Sequence, residues 1–157
     1  MHTSRYAAEH GQLELLKEAR AAGCPWESYT CEYHDDDDLS KEGRRLSTVE
    51  QAAKNGHVGV LAWAVREGAP WGEGSCRAAA AEGQLEALRW LERNGCALDS
   101  GCCEAAASRN KQRVLEWLSA KHVPMGKACT AAAVNGHFEL VRVVPLDSRS
   151  LCDAHRT

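Results

Sequence analysis

The chain has 157 residues, enough for one domain with a useful buried core. Its apolar fraction of 44% and charged fraction of 26% match an average globular mixture, which excludes wholesale disorder. A formal net charge of −3 argues against a general binder of nucleic acid or anionic membranes, and no apolar run approaches the ~20 residues of a membrane helix.

The first predicted elements are a short helix around Ala7-Ala8, a turn at Gly11, and an amphipathic helix with Leu13, Leu16 and Ala19 on one stripe. Gly23 stops that helix and Pro25, two residues later, prevents its continuation. The same unit then recurs. With the turn residue as a ruler, copies register at Gly11, Gly56, Gly83, Asn110 and Gly136, at intervals of 45, 27, 27 and 26 residues. A period in this range predicts a stacked solenoid, all-α and built of helix-turn-helix units.

The long first interval holds one insertion, around 30–46, too short for a further repeat. It has an acidic half (Asp35, Asp36, Asp37, Asp38) and a basic half (Lys41, Arg44, Arg45). Four successive aspartates lack the alternating ligands and central glycine of an EF-hand loop, so a solvated loop is expected, with electrostatic docking as the alternative. Ser47-Thr48-Val49-Glu50 then predicts a capping box opening the second unit.

Each later unit repeats the paired alanines: Ala52-Ala53, Ala79-Ala80, Ala106-Ala107 and Ala132-Ala133. In the central copy the second-helix stripe is Leu85, Leu88 and Leu91. Opposite charges three apart (Glu14 with Lys17, Glu86 with Arg89, Arg113 with Glu116, Glu139 with Arg142) mark the wet face. Seven places after the ruler stand Trp63, Trp90 and Trp117. Three tryptophans in register form either an inter-repeat core ladder, the expected reading, or an aromatic ligand platform.

Gly68, Gly95 and His122 end the second helices of later units, and Pro70 and Pro124 follow. The next slot holds Trp26, Trp71, Leu98 and Met125, expected to fold back over the helix ends. Pro145 falls nine places after Gly136 and should cut the last helix short. The array is thus expected over 1–144, with an irregular or disordered tail over 145–157. No polar capping repeat precedes the first unit, which suggests a piece of a longer array.

Cys76, Cys103 and Cys129 share the slot seven before the ruler, with Cys31 in an equivalent place; Cys24 and Cys96 share the slot thirteen after it. Cysteines that recur by frame, in a chain without a signal-peptide pattern, are expected to be free thiols serving as small apolar side chains in a cytoplasmic or otherwise intracellular protein. The adjacent pair Cys102-Cys103 is the best candidate for redox chemistry. There is no Cys-x-x-Cys and no zinc-finger spacing, so no metal or cofactor is expected. His57 and His137 follow the turn and should brace it. No activated nucleophile, phosphate loop or catalytic carboxylate pair stands out, so no enzyme is expected.

Ala52-Ala53-Lys54-Asn55-Gly56-His57-Val58 and Ala132-Ala133-Val134-Asn135-Gly136-His137-Phe138-Glu139-Leu140-Val141 resemble the ankyrin repeat signature. The units are shorter than the family's usual ~33 residues, and Ser75-Cys76-Arg77-Ala78 and Ala128-Cys129-Thr130-Ala131 stand where its Thr-Pro-Leu-His opening belongs. The resemblance implies a protein–protein interaction scaffold that binds through first helices and inter-repeat loops. The partner would be another protein, with neither nucleic acid nor membrane as a target. The alternative is a thiol-based metal or redox sensor on the same scaffold. Carried over residue by residue, the binding positions would be Tyr6, Glu9 and His10; Gln51, Lys54 and Asn55; Ala78, Ala81 and Glu82; Ala105, Ser108 and Arg109; Ala131, Val134 and Asn135.

Overall fold

The computed structural model describes residues 3–26 and 46–142. Residues 27–45, which carry almost all of the charged insertion, and 143–157, which carry the tail and Pro145, lie outside that description. Every regular element among the described residues is helical, as the repeat period predicts. The first helices of the units are α1 (Thr3–Glu9), α3 (Thr48–Lys54), α5 (Glu73–Glu82), α7 (Ser100–Ser108) and α9 (Ala128–Val134). The second helices are α2 (Leu13–Ala21), α4 (Val58–Arg66), α6 (Leu85–Arg93) and α8 (Gln112–Ala120), and a 3₁₀ turn spans Phe138–Arg142 in the last unit.

The first helices stack directly one on the next and form an inner row. Each second helix packs on the first helix of its own unit and makes far less contact along the outer row. Side-chain size accounts for the difference. In the first four units both alanines of the pair are fully buried, and so are Val49, Cys76 and Cys103 seven before the ruler. Side chains this small let adjacent backbones approach closely, and alanine has the best helix propensity. Ala132 is also fully buried, but Ala133 is exposed, because no described helix follows α9 to cover it.

The outer helices bury Leu16, Leu61, Leu88 and Leu115 completely, five places after each ruler position. The place before it is buried as well in later units (Val60, Ala87, Val114, Leu140), a position the stripe of two, five and eight did not include. Two places on, Leu13, Val58 and Leu85 are half-buried, whereas Gln112 and Phe138 are exposed. No helix among the described residues is long and apolar enough to cross a membrane.

The ruler positions are the left-handed turns: Gly83 sits at φ 78° and Asn110 at φ 57°. The stops after the second helices are left-handed too, with His122 at φ 57° where the other units have glycine. The capping box forms: Ser47 N–H donates to Glu50 Oε2 at 2.9 Å and Glu50 N–H donates to Ser47 Oγ at 3.2 Å. A second cap was not foreseen: Asp99 Oδ1 accepts from Cys102 N–H at 3.2 Å at the start of α7. His57 Nε2 lies 3.0 Å from the Glu9 carbonyl oxygen, and His137 Nε2 lies 3.2 Å from that of Ser108. Each histidine bonds the turn of the preceding unit, so the bracing runs between units.

Two expectations are corrected. Trp63, Trp90 and Trp117 are half-buried against the core with no ring contact among them, so they do not form a ladder. The outer helices stand too far apart for it, and Trp63 meets Trp26 of the preceding loop instead, ring centroids 5.9 Å apart. That contact, and the half-buried or buried state of Trp71, Leu98 and Met125, fits the expected fold-back of the loop residues. Among the ion pairs, Glu14–Lys17 closes at 2.7 Å and Glu86–Arg89 at 3.4 Å. Glu116 does not pair with Arg113; it accepts from Gln112 Nε2 at 2.8 Å, one helical turn back. The side chain of Arg142 lies outside the described residues.

Candidate interaction surface

The strip of candidate residues runs along the free edge of the inner row. Tyr6 (53% exposed), Glu9 and His10 open it on α1 and its turn, with the Tyr6 and His10 ring centroids 4.4 Å apart. In the middle, Ala78, Ala81 and Ala105 are half-exposed and make a floor of small side chains. Ala131 continues that floor, and Val134 (80% exposed) and Asn135 close the strip on α9 and its turn.

One candidate does not belong there. Gln51 is 5% exposed, because it sits in mid-α3 between α1 and α5 and is larger than the alanines of the same slot. Three others spend their donors on their own helices. Asn55 Nδ2 donates to the Gln51 carbonyl at 3.0 Å, Asn135 Nδ2 to that of Ala131 at 2.7 Å, and Ser108 Oγ to that of Glu104 at 2.8 Å. These side chains finish helix ends. Tyr6, Glu9, His10, Lys54, the alanine floor and Val134 then carry the strip's distinctive chemistry.

One pair of charges on the strip is neutralised between units. Arg109 donates to Glu82 Oε1 at 2.9 Å, linking the third and fourth turns. One turn before Ala81 on α5, Arg77 pairs with Asp99 and, at 3.4 Å, with Glu73. The Arg77 hydrogen bond holds the Asp99 carboxyl below its ordinary range, against a smaller opposing effect of burial. Glu104 Oε1 accepts from Lys127 N–H at 3.3 Å in the next unit. Both contacts tie one unit to the next.

The cysteines depart from expectation. Cys76 and Cys96 are joined Sγ to Sγ, with Cα atoms 7.0 Å apart, so they are not free thiols. The frame brings the slot seven before the ruler against the slot thirteen after it, and the third unit alone has cysteine in both. That intersection of two slot series was the available signal. The Cys102-Cys103 pair lies inside the stack. Both are fully buried, and desolvation pushes the Cys102 thiol up to about 11 and the Cys103 thiol up to about 12, away from the reactive thiolate. Among the described residues, no cluster of three or more His, Cys, Asp or Glu is placed to hold a metal ion.

No protein-family model matches this chain, and no curated protein matches it. The solved structure of the human ASB11 ankyrin repeat domain is similar to it, with a TM-score of 0.63 at 20% sequence identity. The match covers 88% of this chain and 65% of that one, so this chain spans about two thirds of the solved domain's length. The fold is that of an ankyrin repeat solenoid.

Proposed function

We propose that this chain is a non-catalytic scaffold that binds another protein along the free edge of its inner row. One observation carries the reading. Among the described residues the exposed large apolar side chains are Tyr6, Val134 and Phe138, and two of the three fall on the strip. Exposed aromatic and aliphatic side chains at the ends of a small-residue floor are apt anchors for a protein partner, since few such residues dominate an interface. The ankyrin fold adds support, because that architecture offers an extended row of first helices and turns for binding.

The test begins with affinity capture by the full chain, followed by identification of the bound protein and titration with it. Tyr6→Ala and Val134→Asp should each weaken that binding at least about tenfold, the scale of a modest hot spot, with no loss of thermal stability. Glu86→Ala on the outer row should leave it unchanged. Wild-type affinity in both strip variants would sink the proposal, and so would an equal loss in the outer-row variant.

A further inference from the structure

We infer that the Cys76–Cys96 bond is a reversible thiol–disulfide staple of the third unit, closed by exchange with a small disulfide of the glutathione type and opened by the corresponding thiol. It does not depend on the binding proposal above.

The repeat itself supplies the argument. Cys76 lies in α5 and Cys96 just past the stop of α6, twenty residues apart in sequence. The second unit holds Val49 and Ala69 in the same two slots, 0% and 3% exposed; the fourth holds Cys103 and Val123. Those units fill the same two slots with residues that belong to the apolar core or pack against it. The fold therefore does not need the covalent bond, and a reduced Cys76–Cys96 pair would fill the slots as two small apolar side chains. Both the open and the closed states are compatible with the stack, as a reversible staple requires.

Access differs between the two sulfurs. Cys76 is fully buried inside the inner row, while Cys96 is 8% exposed at the helix exit. Cys96 is the sulfur that solution reagents meet first. Its thiolate attacks the small disulfide, forming a mixed disulfide and releasing one glutathione thiolate. The Cys76 thiolate then attacks the Cys96 sulfur, closing the protein disulfide and releasing the second. Two protein thiols lose two electrons and two protons, and one small disulfide gains them as two thiols. Closure ties α5 to the exit of α6 around the Gly83 turn, so it restrains opening of that unit more than of its neighbours.

The experiment uses the full chain equilibrated across glutathione buffers from fully reducing to fully oxidising, acid-quenched, differentially alkylated and read by peptide mass spectrometry. Cys76 and Cys96 should convert together as a single two-electron transition, while circular dichroism shows constant helicity throughout. Three outcomes would overturn the proposal: no bond in the most oxidising buffer, a bond that opens only when the helices melt, or a mixed disulfide on Cys96 that persists without closure. Hydrogen exchange is the second readout. Amides of α5 and α6 should exchange on the order of tenfold or more slowly in the oxidised protein, with those of α1 and α2 unchanged. Equal exchange in the two forms would also overturn it. Cys96→Ala, which copies the Ala69 slot of the second unit, should fold and lose both effects.

Discussion

The inner and outer rows are built from the same repeat and packed by opposite means. Inner helices meet through alanine, cysteine and valine side chains that are fully buried, so their backbones are close and there is no room to spare. Outer helices carry the leucines and half-buried tryptophans, and they splay apart from one another. The inner row sets the spacing of the units, and the outer row supplies most of the apolar volume. The strip proposed for binding lies on the inner row, where each of its positions is within three residues of a fully buried alanine.

That contrast is easiest to break at the alanine pair. Ala80→Leu inserts three carbons between α5 and α7, where Ala80 has no exposed surface. Overpacking of this kind should cost about 3 kcal/mol or more, read as a large fall in thermal midpoint. Ala133→Leu occupies the same slot in the last unit, where the side chain is exposed, and should change stability by less than about 0.5 kcal/mol. Comparable losses in the two variants would show that contact between inner helices does not set the tolerance.

Alkali is a second attack on the inner row. The Cys102 and Cys103 thiols in α7 titrate near 11 and 12 when folded, above their ordinary value of 9.0. A raised acid pKa stabilises the fold fully below the unfolded value, and that stability is lost as pH rises from 9 through the folded values. By pH 11 each thiol should account for a loss of about 2–3 kcal/mol, about 5 kcal/mol together, because each tenfold difference in acidity between folded and unfolded thiol is worth ~1.4 kcal/mol. Chemical denaturation at pH 8 and pH 10.5 checks it, and a Cys102→Ala, Cys103→Ala double variant should flatten the dependence. An unchanged slope in that variant would assign the alkaline loss to other groups.

The outer row should be more forgiving. Trp90 is half-buried and touches no other tryptophan, so Trp90→Ala should cost about 2 kcal/mol, below the ~3–5 of a fully buried aromatic. If Trp63→Ala costs clearly more than Trp90→Ala, its ring contact with Trp26 is worth the difference. Denaturant midpoints of the two variants decide this.

How much of the molecule was legible in sequence follows the same division. The ruler read correctly because a left-handed turn demands glycine or asparagine, and the alanine pairs read correctly because close helices demand small side chains. Both are local constraints written in residue type. The tryptophan ladder failed because periodicity gives the direction in which a side chain points, and the distance between outer helices depends on the whole stack. Gln51 failed for a related reason: its slot faces the strip, but a side chain longer than alanine is covered by the flanking helices. The Cys76–Cys96 contact was written in the frame, in two slot series that had to be crossed to see it. Tyr6 and Val134 were placed on the strip by register alone, and their exposure needed the structure.

The smallest effect concerns the fourth unit, where the two rows share one weakness. Asn110 at the turn and His122 after α8 both adopt φ 57°, in positions the other units give to glycine. Asparagine tolerates the left-handed region because its short side chain bonds locally, whereas histidine has less compensation there. His122→Gly removes a Cβ clash worth about 1–2 kcal/mol, but it also returns backbone freedom to the unfolded chain, which opposes about half of that. The net should be a stabilisation below about 1 kcal/mol, seen as a small rise in denaturant midpoint. Asn110→Gly should gain less still. A ranking in the reverse order would mean that the imidazole of His122 makes a stabilising contact at the helix end that outweighs its backbone strain.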